Sequence, residues 1–194
     1  MEAQDSGREY IDQMDSSRLA TWKPPGKGVI RINTDAAFSA GMDQYGLGGV
    51  ARDWKEGIIK AWANAARKTN EPLVEEAVAI RMGMIKAKEA QWKVVEFQSD
   101  CIVVVEMIMK ESIRDSRVVV VLEDIQNMKS LFDKFTFSFV NRLGNGCTHN
   151  LAKFAVKLVR QVDWEGNFPM WLKESAQKDL LGTYPVVTQL VVSS

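Results

Sequence analysis

Three strand-like patterns stand back to back between Val29 and Arg67, and the links between them are too short to hold a helix. They are "VIRINTDAAFS" (29–39), "YGLGGVARDW" (45–54) and "GIIKAWANAAR" (57–67), the last two meeting at the tight turn "KEG". Each carries the β-branched, aromatic and alternating apolar residues that suit a pleated surface. Parallel neighbours need a crossover of about a dozen residues, whereas antiparallel neighbours need only a turn. The first third of the chain is therefore expected to be an antiparallel meander.

Beyond Glu71 the hydrophobic period changes. "EPLVEEAVAIRMGMIKAKEAQW" (71–92) has helical spacing, with Leu73, Ala77, Ile80 and Met84 on one face. "KVVEFQSD" (93–100) is a short strand of the buried type. "CIVVVEMIMKE" and "RVVVVLEDIQNMKSLF" read as helices, and "KFTFSFVNR" as a fifth strand. "THNLAKFAVKLVRQV" (148–162) reads as one amphipathic helix with the stripe Leu151, Phe154, Ala155, Leu158 and Val162. The order β-β-β-α-β-α-α-β-α predicts an α/β fold: a five-stranded mixed sheet, three antiparallel strands and then two alternating with helices, flanked by helices. Residues 22–179 form the expected domain. Residues 1–21 read as a disordered leader or linker, and 180–194, with "VVTQLVV", as an atypical C-terminal tail.

Lysine plus arginine equals aspartate plus glutamate at 25 each, which argues against a basic coat and leaves room for a local basic face. Cys101 and Cys147 form no CxxC, as expected of an intracellular protein of the nucleus or cytoplasm. No apolar run is long enough to span a bilayer, and no membrane association is expected.

The chain has no nucleophile elbow, Walker loop, HExxH or zinc-type Cys/His cluster. Its candidate chemistry lies in acids and one histidine. Asp35 stands within a strand pattern, where aspartate is depleted; it is either a strand-end residue or a functional one. Asp100 ends a strand just ahead of a helix, as an N-cap or at the strand end where α/β sites form. Of the two glutamates opening the first long helix, Glu76 flanks the apolar arc and can reach the sheet. Glu75 falls nearly opposite, toward solvent, and both also suit the helix dipole. His149, the single histidine, falls opposite its helix's apolar stripe, aligned with Lys153 and Arg160. It is either an idle surface residue or a site residue at a helix start.

Taken together, these stretches resemble the type 1 ribonuclease H domain, in particular the plant reverse-transcriptase-like branch related to retroelements. The resemblance is carried in order by "WKPPGKGVIRINTDAAF", "GLGGVARD", "EEAVAIRMGMIKA", "VEFQSDC", "VNRLGNGCTHNLAKFA" and "FPMWLKESAQKD", over about Trp22 to Asp179. It implies a metal-dependent endonuclease that hydrolyses the RNA strand of RNA–DNA hybrids. Asp35, Glu76 and Asp100 match the carboxylates that hold two Mg²⁺ ions (Mn²⁺ as the substitute), and His149 matches a fourth catalytic position. Such a site would use Asp35 as the bridging ligand and His149 as a weak ligand, proton shuttle or phosphate contact. Expected nucleic-acid contacts are Asn145, the backbone at Gly48 and Gly49, and Lys153, with Lys157 and Arg160 nearby. The expected partner is an RNA–DNA hybrid or double-stranded RNA, bound by a monomer. Ala36 stands where the family has glycine, and Glu75 and Thr148 where it has alanine. The neutral net charge, Ala36 and the atypical tail motivate an alternative: a non-catalytic nucleic-acid-binding or interaction module, a domesticated retroelement remnant.

Overall fold

The computed structural model describes residues 21–111 and 115–182. The predicted leader up to residue 20 and the tail from 183 onward lie outside the described residues.

A six-stranded sheet organises the chain: β1 (Ile30–Ala37), β2 (Gln44–Arg52), β3 (Ile58–Arg67), β4 (Val94–Ser99), β5 (Lys134–Phe139) and β6 (Val162–Glu165). Its spatial order is β5-β4-β1-β2-β3-β6. The meander is antiparallel as expected from its short links, whereas β1 pairs with β4, and β4 with β5, in parallel. The crossovers are helical: α1 (Pro72–Glu89) lies between β3 and β4, and α2 (Ile102–Lys110) and α3 (Val119–Met128) lie between β4 and β5. Then come α4 (Gly146–Ala155) and α5 (Met170–Leu181).

Alternation along β3 divides the core between the two faces. Trp62 joins Ile32, Ile80, Phe97 and Leu122 under α1–α3. Its neighbours Ala61 and Ala63 join Leu151, Ala155 and Leu172 under α4 and α5. The second layer is unusually close to the sheet. A Cβ at Gly48 would meet the Thr148 carbonyl oxygen and the Ala152 nitrogen, each at 2.5 Å, so this glycine is what lets α4 lie directly on β2.

Two features differ from the sequence reading. The helix expected to run through Val162 stops at Ala155, although Leu158 and Val162 keep the helical period. Gln44 donates its side-chain amide to the carbonyls of Val156 (2.5 Å) and Leu158 (3.1 Å), drawing the chain out of the helix. Val162 then pairs with Ala63, so among the described residues the sheet has six strands, not five. The expected order of elements also ended at that helix, whereas the structure adds α5 after β6.

Candidate active site

β1 is the point where the sheet's connections diverge, with β2 on one side and β4 on the other. In α/β sheets such points open a crevice at the carboxyl ends of the strands. The register of β1 with β4 places Thr34 opposite Ser99, so Asp35 and Asp100 are the next residues along two parallel strands. α1 brings Glu76 over the same end. Carboxylate oxygens of Asp35, Glu76 and Asp100 all lie within 4.8 Å of one another.

The neighbours hold these acids without neutralising them. Asp35 is buried, and its Oδ2 lies 2.7 Å from His149 Nδ1. Asp100 Oδ1 accepts from the Asn145 amide (3.2 Å), which also donates to the Thr34 carbonyl (3.1 Å) and so ties Asp100 to β1. Arg142, in the 3-10 turn Arg142–Gly144, donates to Asp100 Oδ2 at 3.1 Å. Its Nη2 also sits 3.0 Å from both ring nitrogens of His149. If Nδ1 donates its proton to Asp35, Nε2 is the ring nitrogen left to accept from Arg142.

Three close carboxylates cannot all ionise at ordinary pKa values. Burial, then the charges of Asp35 and Asp100, push the Glu76 carboxyl up to about 9, against the opposing effects of Arg142 and the Ala36 N–H. Burial, then Asp35, push Asp100 up to about 6, opposed by Arg142 and Asn145. Both shifts are upward, so the folded chain holds more protons than the unfolded one between the ordinary carboxylate range and those values. Stability from these groups therefore falls as pH rises through that window. In EDTA the protein is expected to melt at a higher temperature at pH 5.5 than at pH 8.5, and added Mg²⁺ should narrow the gap. Melting curves at the two pH values, with and without the ion, check this.

The donor set suits a hard divalent cation. All three ligand types are carboxylate oxygens. Asp35 Oδ1 and Glu76 Oε2 are buried with no hydrogen-bond partner, a costly arrangement unless a cation compensates it.

The structure brings four of the expected site residues together: Asp35, Glu76, Asp100 and His149. The expected nucleic-acid contacts fare differently. Gly48 and Gly49 are buried, Gly48 beneath α4 and Gly49 against the Trp62 ring, so their backbone is covered by packing. Asn145 is wholly buried, and its amide positions Asp100. Lys153 is exposed on α4, one turn beyond His149. Lys157 and Arg160 are exposed but lie past the helix end, so the three cations do not share one helical face.

Glu75 also departs from expectation. It is fully buried and accepts from the Thr69 N–H (2.7 Å) and hydroxyl (2.9 Å), fastening the loop ahead of α1. The methyl of Ala36 packs with Tyr45, Leu47 and Ala79 under α1. Sequence reasoning gave no role to Arg142. Its signal was a cation at the head of "RLGN", but only the 3-10 turn folds it back to the acids.

A family model described as reverse transcriptase-like matches residues 33–155. No curated protein matches the sequence. Among solved structures, ribonuclease H1 from the archaeon Halobacterium salinarum superposes with a TM-score of 0.61 at 18% identity, covering 66% of this chain and 97% of that one. The LC11 ribonuclease H1, from compost by a metagenomic approach, was solved with an RNA/DNA hybrid. It gives 0.59 at 18%, covering 66% and 96%. A foamy viral protease-reverse transcriptase solved with double-stranded DNA gives 0.53 at 15%, covering 66% and 93%. No helix among the described residues is long and apolar enough to cross a membrane.

Proposed function

Because the chain belongs to the reverse transcriptase-like family and carries the ribonuclease H fold, we propose that it hydrolyses the RNA strand of RNA–DNA hybrids, cutting internally with two Mg²⁺ ions. The observation that carries this reading is the convergence of Asp35, Glu76 and Asp100 with buried, unpartnered oxygens. A cluster that raises its own members' pKa values is costly to keep, and perturbed acids of this kind gather at functional sites.

Asp35, Glu76 and Asp100 would hold the ions. Bound there, the pair supplies an activated water and charge stabilisation at the phosphodiester. Asn145 fixes the rotamer of Asp100 through its Oδ1. His149, oriented by Asp35, brings Nε2 to the edge of the site beside Arg142, as a proton acceptor once the guanidinium moves away. Lys153, exposed one turn further along α4, suits a contact to a substrate phosphate. Selection of the RNA strand would follow from its 2′-hydroxyls, displayed in the wide minor groove of the hybrid.

The test uses a hybrid with end-labelled RNA, incubated in Mg²⁺, Mn²⁺ or EDTA. Internal cuts in the RNA with either ion, none in EDTA and an intact DNA strand are expected. Absence of product with both ions would overturn the reading. Hybrid bound without turnover would favour the non-catalytic alternative.

A further inference from the structure

Arg142 lies where a divalent ion should be least welcome to share space. Its guanidinium donates to Asp100 Oδ2 at 3.1 Å, and the other oxygen of that carboxylate is already engaged by Asn145. Oδ2 is thus the oxygen that Asp100 has left for a cation. Asp100 is nearly enclosed, with 8% of its side chain exposed, whereas 63% of the Arg142 side chain is in solvent. The arginine therefore reaches in from outside. Its backbone end is fixed, because Asn141 caps the turn by accepting from the Gly144 N–H at 3.0 Å.

Resting on the metal-dependent reading of the carboxylates, we propose that Arg142 is a displaceable counter-cation of the site. Its guanidinium and a divalent ion compete for Asp100 Oδ2. Three acids within 4.8 Å need positive charge nearby, and Arg142 supplies one unit of it. A single ion pair whose cation lies mostly in solvent is open to exchange. A divalent ion carries twice the charge and engages several carboxylates together. When it binds, like charge drives the guanidinium off Oδ2 and outward, since its long stem already lies in water. The arginine thus lowers metal affinity in return for a protein that is less self-repelling without the ion.

The measurement is Mn²⁺ binding to the full chain, without substrate, by calorimetry at a pH where the acids ionise. Arg142→Gln is expected to bind Mn²⁺ about threefold to fivefold tighter than wild type, the scale of a lost exposed pair. Arg142→Lys, which keeps the charge, should stay closer to wild type. In EDTA, Arg142→Gln should melt at a lower temperature than wild type and gain more from added Mn²⁺. Equal or weaker binding by Arg142→Gln, with Mn²⁺ still bound by wild type, overturns this inference and leaves the proposed function standing. Binding by neither protein overturns both.

Discussion

Asp35→Asn is expected to abolish hybrid cleavage while making the protein more stable in EDTA. The two effects have one cause. Asp35 is the acid that raises both of its neighbours: its charge contributes to the shift of Glu76 to about 9 and of Asp100 to about 6. Asparagine removes that charge at nearly constant shape. Its amide oxygen can still accept from His149, and its NH₂ can serve the Glu76 oxygen that now lacks a partner. Repulsion falls and the fold gains. The proposed site loses its central ligand, and turnover should fall by roughly 10²–10³-fold or more, the scale for removing one preorganised electrostatic partner. Side-by-side rates and EDTA melts of the two proteins check this. A variant that loses activity together with stability would instead indicate a disrupted fold, and one that cuts normally would remove Asp35 from the mechanism. A residue whose replacement stabilises the protein at the cost of activity is one held for function.

Much of this site was legible in the sequence because its residues are tied to element ends. Asp100 follows the last residue of a strand, and Asp35 is one step past the paired Thr34. Two parallel strands in register bring such residues together whatever the rest of the chain does. The linked motifs also gave the order of elements, since short links and changes of hydrophobic period are local properties. What stayed illegible depends on partners distant in the chain. Glu75 and Glu76 are adjacent, and helical phase alone assigned the first to solvent. Burial of Glu75 depends on Thr69, in a loop whose return could not be read. The end of α4 depends on Gln44, more than 100 residues earlier. Gly48 and Gly49 looked like backbone available to a ligand, but β2 is an interior strand covered on both faces. Arg142 was hidden for the same reason, because its role arises from a turn that folds it toward Asp100.

Asp179→Ala is expected to be the most destabilising single change outside the carboxylate site. The charges of Asp179 and Arg52 are both buried, with 0% and 1% of their side chains exposed, and they meet at 3.0 Å. Arg52 also donates to Asn33 Oδ1 (3.1 Å), which accepts from the Trp22 indole as well (3.0 Å), and its guanidinium lies 3.9 Å from the Trp22 ring centre. Asp179 Oδ1 accepts from the Cys147 N–H at the start of α4 (2.9 Å), and its carbonyl accepts from the Trp22 N–H (3.0 Å). One aspartate thus joins the segment before β1, the end of β2, the first turn of α4 and the last helix. Removing it strands the Arg52 charge in the interior, at a cost of about 3–5 kcal/mol, against a total of roughly 5–15 kcal/mol for an ordinary domain. Urea denaturation should show the loss directly. Replacing both partners with apolar residues, Arg52→Met with Asp179→Leu, should recover much of it, because no charge is then left unpaired. If Asp179→Ala costs less than about 1 kcal/mol, or the double variant is as unstable as the single, the pair does not hold the domain closed. The same argument bears on where the domain ends. The family match stops at residue 155, but a chain cut there lacks Asp179, Leu172 and β6, leaving Arg52 buried without its partner and Leu151 and Ala155 of α4 without Leu172 and Ala176 against them. Such a fragment is expected to show no cooperative unfolding transition, whereas one extending through Leu181 should show it.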